Sequence, residues 1–126
     1  MNEFLFLSDL KNRAINLMII QSFSILILNV SNSIILYYIF SNNFINRIIS
    51  NDYEFDDDFI YYFVNFMKSL AQKIDTSTIQ FFFQKNTYDF PLLSTSLKFY
   101  NHSDPMLKNT VRNIFLTILK CKLILL

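Results

Sequence analysis

Apolar residues in this chain recur at steps of three and four, and short polar clusters punctuate them. That period belongs to a helix rather than a strand. The clearest stripe runs through Phe59, Phe63, Phe66, Met67 and Leu70, leaving Lys68, Gln72 and Lys73 toward water. A second runs through Leu107, Val111, Ile114, Phe115, Ile118 and Leu119, with Lys108, Arg112 and Lys120 off it. Both have start signals. Asp56 is placed to cap the first, with Phe55 and Ile60 as a hydrophobic staple. Asp57 and Asp58 then fall in the first turn, where the helix dipole favours negative charge. Asp104 followed by Pro105 opens the second, since proline loses nothing where an N–H has no helical partner.

The rest of the chain reads in the same way. Residues 14–29 predict a long helix that is apolar on most sides, as expected of one packed between neighbours. Lys11, Asn12 and Arg13 separate it from a short apolar piece, Asn2 to Leu10. Ser31-Asn32-Ser33 is a cap-and-turn cluster before Ile34 to Phe40, and Phe44 to Ile49 follows as another short helix with Phe44, Ile45, Ile48 and Ile49 on one stripe. A strand reading of IILYYIF suits its β-prone residues, but no alternating partner or hairpin turn accompanies it. Asp75 predicts a cap for a helix from Thr76 to about Gln84, with Ile79, Phe82 and Phe83 inward and Lys85-Asn86-Thr87 ending it. Asp89 and Pro91 predict the next start, with Leu92, Leu93, Ser96, Leu97 and Tyr100 facing the core. Asn101-His102-Ser103 is the turn that follows.

Helices joined by short polar turns predict an all-α fold, an armadillo/HEAT-like α-solenoid of stacked helix pairs. No strict period names a particular repeat. The chain closes on LILL without a stop signal, so both ends are expected to be cut through a helical array.

Composition narrows the function classes. At 126 residues the chain is one domain or part of one. Its formal net charge of +1 gives no argument for a nucleic-acid partner or for an anionic membrane. Glycine is absent and alanine occurs only at Ala14 and Ala71, while Phe, Ile, Asn, Lys and Tyr are heavily used, a skew that A/T-rich codons would produce. The aromatic load is therefore discounted as a sign of a binding surface. Without glycine, phosphate-cradling loops and nucleophile elbows cannot be built in their usual form. The single cysteine, Cys121, rules out an intrachain disulfide and a multi-cysteine zinc site, and its apolar neighbours suit a buried, inert thiol. Ala14 to Val30 raises a second reading, a small integral membrane protein anchored by residues 14–30. Asn16, Gln21, Ser22, Ser24 and Asn29 interrupt it, and a spanning helix wants about 20 largely apolar residues.

Two blocks carry a family resemblance. One is FFFQKNTYDFPLLSTSLKFYNHSDPMLKNTVR, from Phe81 to Arg112, and the other is LYYIFSNNFINRIISNDYEFDDDFIYYFVNFMKSLAQKI. The most specific parts are Phe81 to Phe83, Asp89 to Leu92, KFYNHSDP from Lys98 to Pro105, and Val111-Arg112. Ser41-Asn42-Asn43 with Asn46 and Ile48-Ile49 fits a further family block. The chain thereby resembles the FPL-domain family, named after the tripeptide present here as Phe90-Pro91-Leu92. Animal members include the endosome-maturation-defective protein of flies and a mammalian relative with a C-type-lectin name. The match runs from Leu36 to Lys120, so the expected organisation is loosely matching helices over 1–35, an FPL-type helical domain over 36–120, and the start of a continuation over 121–126. The resemblance implies a non-catalytic scaffold in endosome-to-lysosome transport and autophagy, including mitophagy. It also implies a cytoplasmic protein, peripheral on endosomal, lysosomal or Golgi membranes, and partners of the tethering-complex or ubiquitin-ligase type. Phe90, Pro91, Leu92, Asn101, His102 and Pro105 are its signature positions, expected to be structural.

The residues themselves offer few candidates for chemistry. His102 is the lone histidine, and Asn-His-Ser-Asp-Pro is complete as a helix-start signal, so a turn role is expected and no metal or catalytic one. Asp56-Asp57-Asp58 lacks the spaced oxygen ligands of a calcium loop. Lys98, His102, Lys108 and Arg112 would form one basic edge around the turn, suited to a lipid headgroup or an acidic partner segment, or else an ordinary solvated rim. Phe81-Phe82-Phe83 is expected in the core, with an exposed partner anchor as the alternative. The sequons at Asn29 and Asn101 are expected by chance in so Asn-rich a chain. No spaced acid–base pair, metal cluster or cofactor motif is present, and no enzyme activity or cofactor is expected.

Overall fold

The computed structural model describes residues 12–56 and 58–125, the last five as backbone only. Expectations for Asn2 to Leu10, Asp57 and the Cys121 side chain lie outside the described residues. The described chain is all-helical: α1 (Arg13–Asn29), α2 (Ser33–Ser41), α3 (Phe44–Ser50), α4 (Phe59–Lys73), a 3₁₀ turn (Ile79–Phe82), α5 (Pro91–Leu97) and α6 (Pro105–Leu125).

Helix α4 is the centre. It packs against α1 on one side and α6 on another, and α5 bridges α3 and α6. Its stripe of Phe59, Phe63, Phe66, Met67 and Leu70 is fully buried, as its spacing predicts. Around Phe63 the rings of Tyr53, Phe55 and Phe99 lie at centroid distances of 5.3, 5.0 and 6.1 Å. On α1 the inward residues are Asn16, Ile19, Ile20, Phe23 and Ile27, while Met18, Ile25 and Leu28 face outward. No helix among the described residues is long and apolar enough to cross a membrane. The single-span reading of residues 14–30 therefore finds no support: α1 has 17 residues and lies against α4.

Local side-chain chemistry sets the helix starts. Asn12 Oδ1 accepts from the Ile15 N–H at 3.1 Å, and Asn32 Oδ1 from those of Ile34 and Ile35 at 2.9 and 3.3 Å. Asp56 Oδ1 accepts from the Phe59 N–H at 2.8 Å and the Asp58 N–H at 3.1 Å. It therefore satisfies the first amides of α4 from three residues upstream of the helix. Phe55 reaches past that start to Phe63 and Phe99, each at 5.0 Å.

The segment 76–90 departs from its sequence pattern. The expected helix from Thr76 to Gln84 is only the four-residue 3₁₀ turn. Asp75 Oδ1 accepts from the N–H groups of Ser77 and Thr78 at 2.9 and 3.0 Å, while the Asp75 N–H donates to Thr78 Oγ1 at 3.0 Å. These local bonds offer the backbone an alternative to the helical ladder. Gln84 and Asp89 then exchange two backbone hydrogen bonds, of 2.8 and 3.2 Å, closing a small loop. Within it Tyr88 takes a φ of +51°, a left-handed conformation that usually goes to glycine, of which this chain has none. Asp89 is committed to that bridge, and the expected Asp89 cap is replaced by Phe90 as the residue before α5, with Pro91 at the first helical position.

Helix α5 also turns a different face inward than its spacing predicts. Leu92 and Ser96 are buried as expected, but Leu97 and Tyr100 are 56% and 45% exposed, and Thr95 and Phe99 take the inward places. Beyond Leu97 the N–H groups of Lys98, Phe99 and Tyr100 bond to carbonyls three residues back, at 3.0–3.2 Å. That tighter winding advances the inward register by one residue, from Tyr100 to Phe99.

Candidate interaction surface

Phe90, Pro91 and Leu92 lie at the start of α5. The Phe90 carbonyl accepts from the N–H groups of Leu93 and Ser94 at 2.9 and 3.0 Å, Pro91 is buried at the helix start, and Leu92 is fully buried. Asn46, buried on α3, donates through Nδ2 to the Phe81 carbonyl at 2.8 Å and to Asn43 Oδ1 at 3.1 Å. Asn46 thus ties α3 to the backbone of the triple phenylalanine. Ser96 Oγ donates to the Leu92 carbonyl at 2.6 Å and lies 3.6 Å from Met67 Sδ, at the seam between α5 and α4.

The second turn is held by its own polar side chains. His102 is half-buried, and its Nδ1 accepts from the Asp104 N–H at 3.1 Å. Asp104 Oδ1 caps α6 by accepting from the Met106 N–H at 2.9 Å, and Oδ2 accepts from the Tyr61 hydroxyl on α4. The Tyr61 hydrogen bond, helped by the Met106 amide, holds the Asp104 carboxyl below its ordinary pKa. His102 thus takes part in the hydrogen bonding of the turn before α6.

Of the four residues expected to form a basic edge, Lys98, Lys108 and Arg112 are exposed and His102 is partly covered. Lys108 Nζ lies over the Tyr100 ring at 5.8 Å, a cation–π contact in reach of solvent, and Arg112 follows one helical turn on. Met106, 71% exposed, extends this rim with an apolar tip.

The three consecutive phenylalanines divide. Phe82 is buried and meets Phe40 edge-on at 5.1 Å, and Phe81 is half-covered by Tyr37 at 5.1 Å. Phe83 is 38% exposed and borders an apolar groove of about 540 Å³ with Phe90, Leu93 and Leu119. Leu119, read from the sequence as part of the inward stripe, is likewise partly outside. A second hollow of about 590 Å³ runs between α1 and α4, lined by Gln21, Ile25, Leu28, Tyr62, Asn65 and Lys68 among others. Among the described residues, no group of three His, Cys, Asp or Glu side chains is placed to hold a metal ion.

The deciding comparison is with the FPL model, described as an uncharacterised conserved protein, which matches residues 1–119. The chain belongs to the FPL family. It is 40% identical over 103 residues to the CLEC16A homolog of Drosophila melanogaster, covering 81% of this chain and 10% of that protein. It is 37% identical over 118 residues to the Caenorhabditis elegans homolog, covering 93% and 13%. Human CLEC16A is 36% identical over 112 residues, covering 88% and 11%. This FPL chain thus spans roughly a tenth of the length of these relatives. No solved structure matches it.

Proposed function

We propose that this FPL chain is a non-catalytic, armadillo-like scaffold module acting in endosome-to-lysosome transport and autophagy, including mitophagy. It works through protein–protein contacts at cytoplasmic membrane surfaces of endosomes, lysosomes or the Golgi. Family membership is the observation that carries the reading. The fold supports it by dividing its apolar residues in two. One set is locked around Phe63, and another set on α1 and α2, including Met18, Ile25, Ile34 and Tyr38, stays on the surface. Such surface suits packing against further helices and partners. In this reading the partners are tethering-complex subunits or a ubiquitin ligase, and the basic edge of Lys98, Lys108 and Arg112 faces an anionic membrane.

A chimera tests it. The matching segment of the Drosophila relative is replaced by this chain, and autophagic flux is measured in cells lacking that relative. Restored flux is expected. A chimera that accumulates at the native level yet restores none would overturn the reading.

A further inference from the structure

Helices α1, α4 and α6 run parallel. Arg13, at the start of α1, pairs with Asp56 just before α4. At the other end, Lys73 Nζ of α4 donates to the Val30 carbonyl that follows α1, at 3.2 Å. The Tyr61 hydroxyl, in the first turn of α4, donates to Asp104 just before α6. Each of these pairs is 43 residues apart, so the three rods stand in register. The hollow of about 590 Å³ between α1 and α4 adjoins one of about 240 Å³ between α4 and α6. Lys68 and Gln72 line both, so the two form one trough that crosses α4 over these side chains. Helices packed about 8–10 Å apart place the outer rods about 16–20 Å from each other, the length of about five or six extended residues.

The trough is lined with carboxamides. Gln21 on α1, Asn65 and Gln72 on α4, and Asn113 on α6 all border it. Among the described residues none of these four side chains has a hydrogen-bond partner. The hydroxyls beside them are committed: Ser24, Ser69 and Thr117 donate to carbonyls of their own helices at 2.8, 2.9 and 2.8 Å. A carboxamide donates and accepts at once, and a peptide group presents the matching pattern. An extended backbone, with N–H and C=O groups unpaired within its own chain, is what such a row satisfies. Lys68 is the one charged residue of the lining, and no carboxylate borders either hollow. Ile25, Leu28 and Tyr62 make an apolar patch at the α1 side. The trough is open rather than enclosed, whereas a small-molecule site ordinarily covers about 70–90% of its ligand.

We propose that this trough receives an extended acidic segment of a partner protein, lying across α1, α4 and α6. The carboxamides of Asn65 and Gln72 hold its backbone, with Gln21 and Asn113 at the two ends. An acidic side chain sits over Lys68, and an apolar one rests against Ile25, Leu28 and Tyr62. Charge decides the acidic residue, because the trough offers one cation and nothing to balance it. The proposal rests on the reading of the chain as a protein-contact module and adds the partner's chemistry. Its failure would leave the chimera test untouched, since that test reads trafficking and this one reads a single contact.

The experiment titrates the peptide acetyl-Ala-Leu-Ala-Asp-Ala-Ala-amide into the isotope-labelled full chain and follows the side-chain amides of Gln21, Asn65, Gln72 and Asn113 by NMR. Saturating shifts are expected. Binding should weaken about tenfold when asparagine replaces the peptide's aspartate, and by a similar factor in Lys68→Gln. N-methylation of the peptide backbone on both sides of the aspartate should weaken it at least as much. Asn65→Ala with Gln72→Ala, read at Gln21 and Asn113, should do the same while the melting temperature holds, because both positions are exposed. Absent shifts, or equal binding of the N-methylated peptide or by the double-alanine chain, would overturn the proposal. So would the same shifts produced by sodium acetate alone, which would mark a lone anion site. Shifts that follow chain concentration without peptide would give the trough to a second copy. Displaced Asn65 and Gln72 resonances in Phe4→Ser with Phe6→Ser, again without peptide, would give it to the chain itself. Either result overturns the partner.

Discussion

Replacing Phe63 with alanine is the sharpest test of how this fold is held together. The side chain is fully buried at the middle of α4. Five rings surround it: Phe55 at 5.0 Å, Tyr53 at 5.3 Å, Phe99 at 6.1 Å, Phe59 at 6.4 Å and Phe66 at 6.5 Å. Three of them come from α4 or its own approach, but Phe99 belongs to the turn after α5 and Tyr53 to the linker. One ring therefore joins three segments. Truncation removes the transfer free energy of the ring and leaves a cavity that the neighbours refill only in part, for a cost of about 3–5 kcal/mol. Phe63→Leu, which keeps much of the volume, should cost less than about 1.5 kcal/mol. Ile34→Ala, at a position 77% exposed on α2, should stay within about 0.5 kcal/mol. Urea unfolding followed by circular dichroism at constant m measures all three, and a domain of this size should lose roughly 10–20 °C in Tm for the alanine variant. A loss below about 1 kcal/mol for Phe63→Ala would refute the placement of the core around this ring.

Other consequences follow from the polar contacts. The Asp56 carboxyl, held down first by the Arg13 hydrogen bond and then by the Phe59 amide, has its pKa lowered to about 2. A folded pKa below the unfolded one stabilises at pH values above the unfolded range and loses that effect as pH falls through about 2. NMR titration of the Asp56 carboxyl should show that low midpoint, and Arg13→Gln should raise it; an ordinary midpoint in the parent chain would refute the pairing. Asp104→Ala removes both the α6 cap and the acceptor for Tyr61, and thermal unfolding should show a loss of about 0.5–2 kcal/mol. Tyr61→Phe should reproduce only the smaller, uncapped share, and an equal loss would show that the cap contributes nothing. Lys108→Glu with Arg112→Glu should weaken sedimentation with anionic liposomes, by an amount that shrinks as salt is raised; unchanged binding removes the membrane role of the basic edge.

What the sequence determined by itself is the set of rods and where most of them begin. Asn12, Asn32 and Asp104 bond to amides two or three residues ahead, and such short-range chemistry is written in adjacent letters. The stripe of α4 was equally legible, because a fifteen-residue helix with one apolar face has only one way to turn it. The tertiary structure decided the rest. Asp75 preferred its own turn to a helix, and Asp89 preferred Gln84 to the cap of α5, both choices between local bonds of similar worth. Tighter winding after Leu97 sent Phe99 inward and Tyr100 out beneath Lys108. Most of all, no local pattern could show that Asn16, one polar residue on an apolar helix, would lie buried beside the carboxylates of a linker some forty positions away. Hydrogen bonds between neighbours are encoded by spacing alone, whereas burial of that kind exists only where distant segments close over a residue.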